Sequence, residues 1–95
     1  MATSGATGGA ILDFGAAPGS TYASVDVTLQ TGLVPASFCE AWLMGETTAE
    51  HNAFEHLIVP MNVRCGNVGT GTFTIYGSSD FRLTGTFAVR WVWST

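Results

Sequence analysis

A small all-β domain, an antiparallel β-sandwich or barrel, is the fold class this sequence predicts. Three observations carry the prediction. Apolar and polar residues alternate in short runs, Gly-, Pro- and Ser-rich turns separate the runs at spacings of about 10–12 residues, and no helical period is long enough for a crossover helix. The last point excludes a parallel α/β fold, whose strands need such crossovers. Within the class, the pattern suits a jelly-roll or immunoglobulin-like arrangement. A chain of 95 residues has room for one domain, expected over residues 10–95 behind an N-terminal arm at residues 1–9.

Residues 1–9 consist of Met, Ala, Thr, Ser and Gly without apolar periodicity, and are expected to be flexible. Ala10 to Phe14 forms the first strand, stopped by Gly15 and the turn Ala17-Pro18-Gly19-Ser20. Ala23, Val25, Val27 and Leu29 then alternate with Ser24, Asp26, Thr28 and Gln30, the pattern of a strand with one buried face. Phe38 to Met44 is apolar on both faces apart from Glu40, and Gly45 ends it. One short helical turn is predicted around residues 48–55, with Thr47 or Thr48 as cap and Glu50 as capping-box partner of Thr47. Leu57 to Cys65 returns to extended character. Pro60 within it has no N–H to donate, which places that strand at a sheet edge or a bulge. Gly66 to Gly71 turns the chain, Thr72 to Tyr76 makes a short strand, and Gly77-Ser78-Ser79-Asp80 reads as another turn. The last strand, Leu83 to Trp93, sets Phe87, Val89, Trp91 and Trp93 on one face and Ala88, Arg90 and Val92 on the other. A terminal strand this aromatic packs well in the middle of a sheet or across a subunit boundary.

Composition narrows the function. Hydrophobic residues at 46% supply a core, whereas charged residues reach only 11% against about 25% in ordinary soluble domains. Lysine is absent, and Arg64, Arg82 and Arg90 are the only Lys or Arg residues. A net charge of -4 gives no positive field to hold a phosphate backbone, so nucleic acid is not an expected partner. No apolar run approaches the ~18 residues that span a bilayer as a helix. The first residues lack the positive segment of a secretory signal, so synthesis in a host cytoplasm is expected. Gly, Ser and Thr, 32 residues together, provide the polar surface instead of charges. Neutral hydroxyls cost less to bury than charges, which suits a surface covered by neighbours.

Candidate chemistry is sparse. Glu46, Glu50, His51, Glu55 and His56 form the one titratable cluster, and His51 and His56 are weak metal candidates. Zinc needs three or four convergent ligands, and the spacing here fits no zinc signature, so a solvated loop is the plainer reading and no cofactor is expected. Cys39 and Cys65 lie on predicted strands, and sequence leaves their pairing open; without a signal segment reduced thiols are expected. The glycines between 66 and 71 lack the Lys and helix of a phosphate loop, and no nucleophile elbow occurs. Enzyme activity is not expected. Tyr22, Trp42 and Tyr76 are candidates for a sugar-binding surface, on which aromatic faces stack against the ring.

Several segments together resemble short proteins encoded in tailed-bacteriophage and prophage genomes. They are Ile11-Leu12-Asp13-Phe14-Gly15-Ala16-Ala17-Pro18-Gly19-Ser20, Glu40-Ala41-Trp42, the Glu50-His51 and Glu55-His56 pairs, Gly71 to Gly77, Leu83 to Phe87 and the closing Trp-Val-Trp. The resemblance covers about residues 10–94 and assigns no catalytic residue. It implies a virion-associated structural role: a capsid decoration or cement subunit, with a tail, neck or fibre component as the alternative. The expected partners are the chain itself, as a trimer, and the major capsid protein, on the capsid surface. Expected interface residues are Ala2, Thr3, Ser4, Ile11, Trp91 and Trp93, the arm being suited to adding a strand to a neighbour.

Overall fold

The computed structural model describes residues 5–95. Six strands and one short helix follow in the order β1 (Gly5–Asp13), β2 (Ser20–Val27), β3 (Phe38–Leu43), α1 (Ala53–Ile58), β4 (Asn62–Gly66), β5 (Phe73–Leu83) and β6 (Thr86–Ser94). They form two antiparallel three-stranded sheets packed face to face: sheet A in the order β1-β6-β3 and sheet B in the order β2-β5-β4. The all-β expectation therefore holds. All side edges are strands that also approach the other sheet, β1 beside β2 and β3 beside β4, without a hydrogen-bonded ladder between them.

The core follows from strand parity. Phe87, Val89, Trp91 and Trp93 of β6 point inward and meet Phe73 and Ile75 of β5, with Leu12, Phe14, Ala23, Val27 and Leu33 closing the sides. Phe73 stands edge-on to Trp91 at 5.5 Å between ring centroids, and Phe14 likewise to Phe87 at 5.9 Å. These are favoured geometries for aromatic quadrupoles. Trp93 Nε1 donates to Gln30 Oε1 at 3.0 Å, so this indole is buried with its polar group satisfied. The Trp91 Nε1 has no such partner.

The flexible-arm expectation fails over residues 5–9, which belong to β1; residues 1–4 lie outside the described residues. β1 pairs with β6 from Gly5 opposite Ser94 to Asp13 opposite Thr86. Its inward positions Ala6, Gly8 and Ala10 stand opposite Trp93, Trp91 and Val89. A Cβ on Gly8 would lie 2.5 Å from the Trp91 ring, so the small residues are complements of large ones across the ladder. Low apolar content here signals a filled space, where the sequence pattern suggested an unpaired one.

Four further boundaries differ from the expected ones. The second strand stops at Val27, and Leu29 points outward, 92% exposed, with a left-handed φ of 60°. The chain turns there so that Gln30 N donates to Gly71 O while its side chain reaches Trp93. The expected turn at Gly77 to Asp80 is instead continuous β5, because Ser78 pairs with Tyr22 on one side and Asn62 on the other. Gly77 is required by packing rather than turning: a Cβ there would stand 2.6 Å from Leu12 Cδ1. The helix begins at Ala53, capped by Asn52, whose side chain accepts from Glu55 N while Glu55 accepts from Asn52 N. Thr48 and Glu50, expected at that cap, are occupied elsewhere: both bond Thr86. Leu57 falls on α1, so the strand expected from it shortens to Asn62–Gly66, which is an edge strand as Pro60 indicated.

Candidate interaction surface

Since odd-numbered β6 residues fill the core, Trp91 and Trp93 are buried, 6% and 2% exposed, and do not form the expected interface. Their even-numbered neighbours take that position. The ladder registers arrange the outer face of sheet A in rows across β3, β6 and β1: Phe38–Ser94–Gly5, Glu40–Val92–Thr7 and Trp42–Arg90–Gly9, with Ala88 beside Ile11. Phe38, Trp42, Val92 and Ile11 are all exposed, Phe38 at 74%. Gly5, Thr7 and Gly9 make the β1 side of this face low, so Val92 and Arg90 stand uncovered along its middle.

Arg90 donates through Nε and Nη2 to Glu46 Oε1 at 3.1 and 2.6 Å, which pairs its charge. Glu40, beside Val92 in the middle row, and Asp13, at the end of β1, carry the remaining negative charge of this face. Two shallow hollows open on it. One of about 310 Å³ lies among Phe38, Glu40, Val92 and Ser94, and one of about 230 Å³ among Gly9, Ile11, Ala88, Arg90 and Glu46. A shallow surface that exposes Phe38 and Trp42 beside Val92 and Ile11 has the aromatic enrichment of an interface centre. It is too open to enclose a small ligand.

The other candidates separate. Tyr22 and Tyr76 lie together on the outer face of sheet B, their rings stacked with centroids 6.4 Å apart, near Ser24, Arg64 and Asn62. Trp42 belongs to sheet A, so the three aromatics do not form one site.

The His and Glu cluster is a clasp that holds the segment before α1 on the β5–β6 turn. His51 Nδ1 meets Glu55 Oε2 at 2.9 Å and its Nε2 donates to Thr84 O at 2.6 Å, while its ring stacks on Phe87 at 4.0 Å. Glu50 Oε1 accepts from Thr86 N and Oγ1. Gly85 completes the fit, since its φ of 74° and the adjacent Glu50 side chain leave no place for a Cβ. His56 is buried, with Ala88 N–H donating to Nε2 and Nδ1 donating to Asn52 O, both at 2.9 Å. Both nitrogens of both rings are therefore engaged, and neither ring directs a free lone pair at a metal. Among the described residues no three His, Cys, Asp or Glu side chains converge as a metal site.

The clasp predicts a pH window. The Thr86 hydroxyl and N–H hold the Glu50 carboxyl below its ordinary 4.5, and hydrogen bonds from His51 and Asn52 do the same for Glu55. Burial lowers the His51 pKa, but its bonds to Glu55 and Thr84 and the two carboxylate charges outweigh it, leaving a net rise above 6.5. A raised histidine contributes stability below its unfolded pKa and loses it as pH rises through the folded one; lowered carboxyls contribute above theirs and lose it on acidification. The clasp is therefore strongest between pH 4.5 and 6.5. Thermal melts across pH should peak in that interval, and His51→Gln should flatten the alkaline limb.

Compared with protein-family models, with curated proteins and with solved structures, the chain gives no match.

Proposed function

We propose that this chain is a structural subunit of a tailed-bacteriophage virion, a capsid decoration protein that docks on the head through the outer face of sheet A. The observation that carries the reading is that face: Phe38, Trp42, Val92 and Ile11 exposed together around the paired Arg90. The resemblance to short phage and prophage proteins supplies the setting. Low overall charge agrees with it, because a surface covered by neighbours has little need of Lys and Glu for dispersal. The mechanism is burial: apolar and hydroxyl surface leaves water at the junction between subunits, and binding to the assembled state alone raises the cost of pulling the capsid apart. The proposal includes association of three copies beside the major capsid protein.

Val92→Arg places a charge in the middle of the face without entering the core. Its effect on stability is expected to stay within about 0.5 kcal/mol, as for other surface substitutions. Binding to heads assembled without this subunit should weaken by about 30-fold, the loss typical of a central anchor worth about 2 kcal/mol. Undiminished binding would remove sheet A from the interface. A second reading, a sugar-binding module that recognises the host surface, draws on the stacked Tyr22 and Tyr76. It predicts glycan binding that Tyr76→Ala abolishes and Val92→Arg leaves intact.

A further inference from the structure

β3 and β4 are edges of different sheets that lie beside each other, their Cα atoms approaching within 8 Å without ladder bonds. They flank an open cleft of about 590 Å³ lined by Cys39, Glu40, Ala41, Trp42, Val63, Arg64 and Cys65. Cys39 pairs across its ladder with Trp93, and Cys65 with Ile75, both core residues. The two cysteines therefore point inward from opposite sides of the same seam. Each is half-buried, packed against the core, and reduced in this structure. They are the only cysteines in the chain, so no other thiol competes for either.

We propose that Cys39 and Cys65 are a reversible disulfide site that laces the two sheets together along the β3–β4 seam. Both thiols line the same cleft, and a bond between them would replace an absent ladder with a covalent crosslink. Its partner reagent is a low-molecular-weight disulfide such as oxidised glutathione. The Cys39 thiolate attacks one glutathione sulfur, the glutathione S–S bond breaks, and one glutathione leaves as its thiol, carrying the Cys39 proton. The Cys65 thiolate then attacks the Cys39 sulfur of the mixed disulfide and releases the second glutathione, which takes up the Cys65 proton. The protein dithiol loses two electrons and two protons, and one glutathione disulfide becomes two thiols.

Burial, with the adjacent Cys39 and Glu40, pushes the Cys65 thiol up to about 12, so thiolate is scarce there at neutral pH. Once Cys39 carries glutathione it is no longer an ionisable neighbour, and the second step becomes easier. Ring closure is still expected to be the slow step at neutral pH and to accelerate as pH rises. The crosslink closes a chain segment of 26 positions (65 − 39), long enough for a substantial restriction of the unfolded state.

This inference concerns the isolated chain and stands apart from the virion reading. The full-length reduced protein is incubated with oxidised glutathione, and its intact mass, peptide map and melting temperature are recorded without reductant. The expected result is a monomer lighter by two hydrogen atoms, a Cys39–Cys65 linked peptide, and a melting temperature raised by about 10 °C and restored by dithiothreitol. Cys65→Ser should stop at a glutathione adduct on Cys39. An adduct that never closes in the wild type, a linkage formed only between chains, or a lowered melting temperature would overturn the proposal.

Discussion

Phe87→Ala is expected to destabilise the fold by about 3–5 kcal/mol, the cost of emptying a large aromatic site in a well-packed core. A chain of this length holds only about 5–14 kcal/mol in total, so one substitution removes a large share. Phe87 is 2% exposed and serves two structures at once. Its ring packs edge-on against Phe14 in the core, and it also supports His51 and His56, which stand at centroid distances of 4.0 and 5.2 Å. Loss of the ring therefore opens the core and removes the floor of the clasp. Urea denaturation measures the effect; a change below about 1 kcal/mol would show that the surroundings collapse into the site without penalty.

His56→Leu is the second large effect. The substitution keeps apolar bulk but leaves the Ala88 N–H without its ring partner, while the Asn52 carbonyl keeps the bond from the residue 56 backbone N–H. An unsatisfied buried polar group costs about 1–3 kcal/mol, so the orphaned Ala88 N–H predicts a loss of that size. The result separates a structural histidine from a metal ligand. The structural role predicts that His56→Leu destabilises the metal-free protein and that a chelator leaves the wild-type melting temperature unchanged. A chelator-sensitive wild type, matched by a variant that melts like the chelated protein, would return His56 to metal binding.

The sequence disclosed the fold wherever period-two alternation was uninterrupted. Phe87 to Trp93 and Ala23 to Val27 carry their burial pattern openly, because each inward residue is apolar and each outward one mostly polar or small. β1 was hidden for the complementary reason: Ala6, Gly8 and Ala10 are small because Trp93, Trp91 and Val89 occupy the shared space. Only knowledge of the ladder reveals that. The glycine at 77 misled similarly, as it marks a close approach of Leu12 rather than a turn. Thr48 and Glu50 have the chemistry of a helix cap, but a bond to Thr86, distant in sequence, wins over the local one.

The surface was half legible. The placement of Arg90 and Val92 opposite the tryptophans already implied an outer face for β6. That β3 would add Phe38 and Trp42 to it follows from the β3–β6 pairing, which no local signal encodes. The nearness of Cys39 and Cys65 is likewise a property of sheet order, since their strands belong to different sheets and meet only at the edges.

The proposed virion role is tested most directly by quantitative mass spectrometry of purified phage particles, counting copies of this chain per copy of the major capsid protein. A decoration subunit predicts a ratio near one, or a simple fraction such as one third. A ratio of a few per cent would contradict the capsid position and move the chain to the tail, neck or a fibre. Complete absence would contradict the structural role itself.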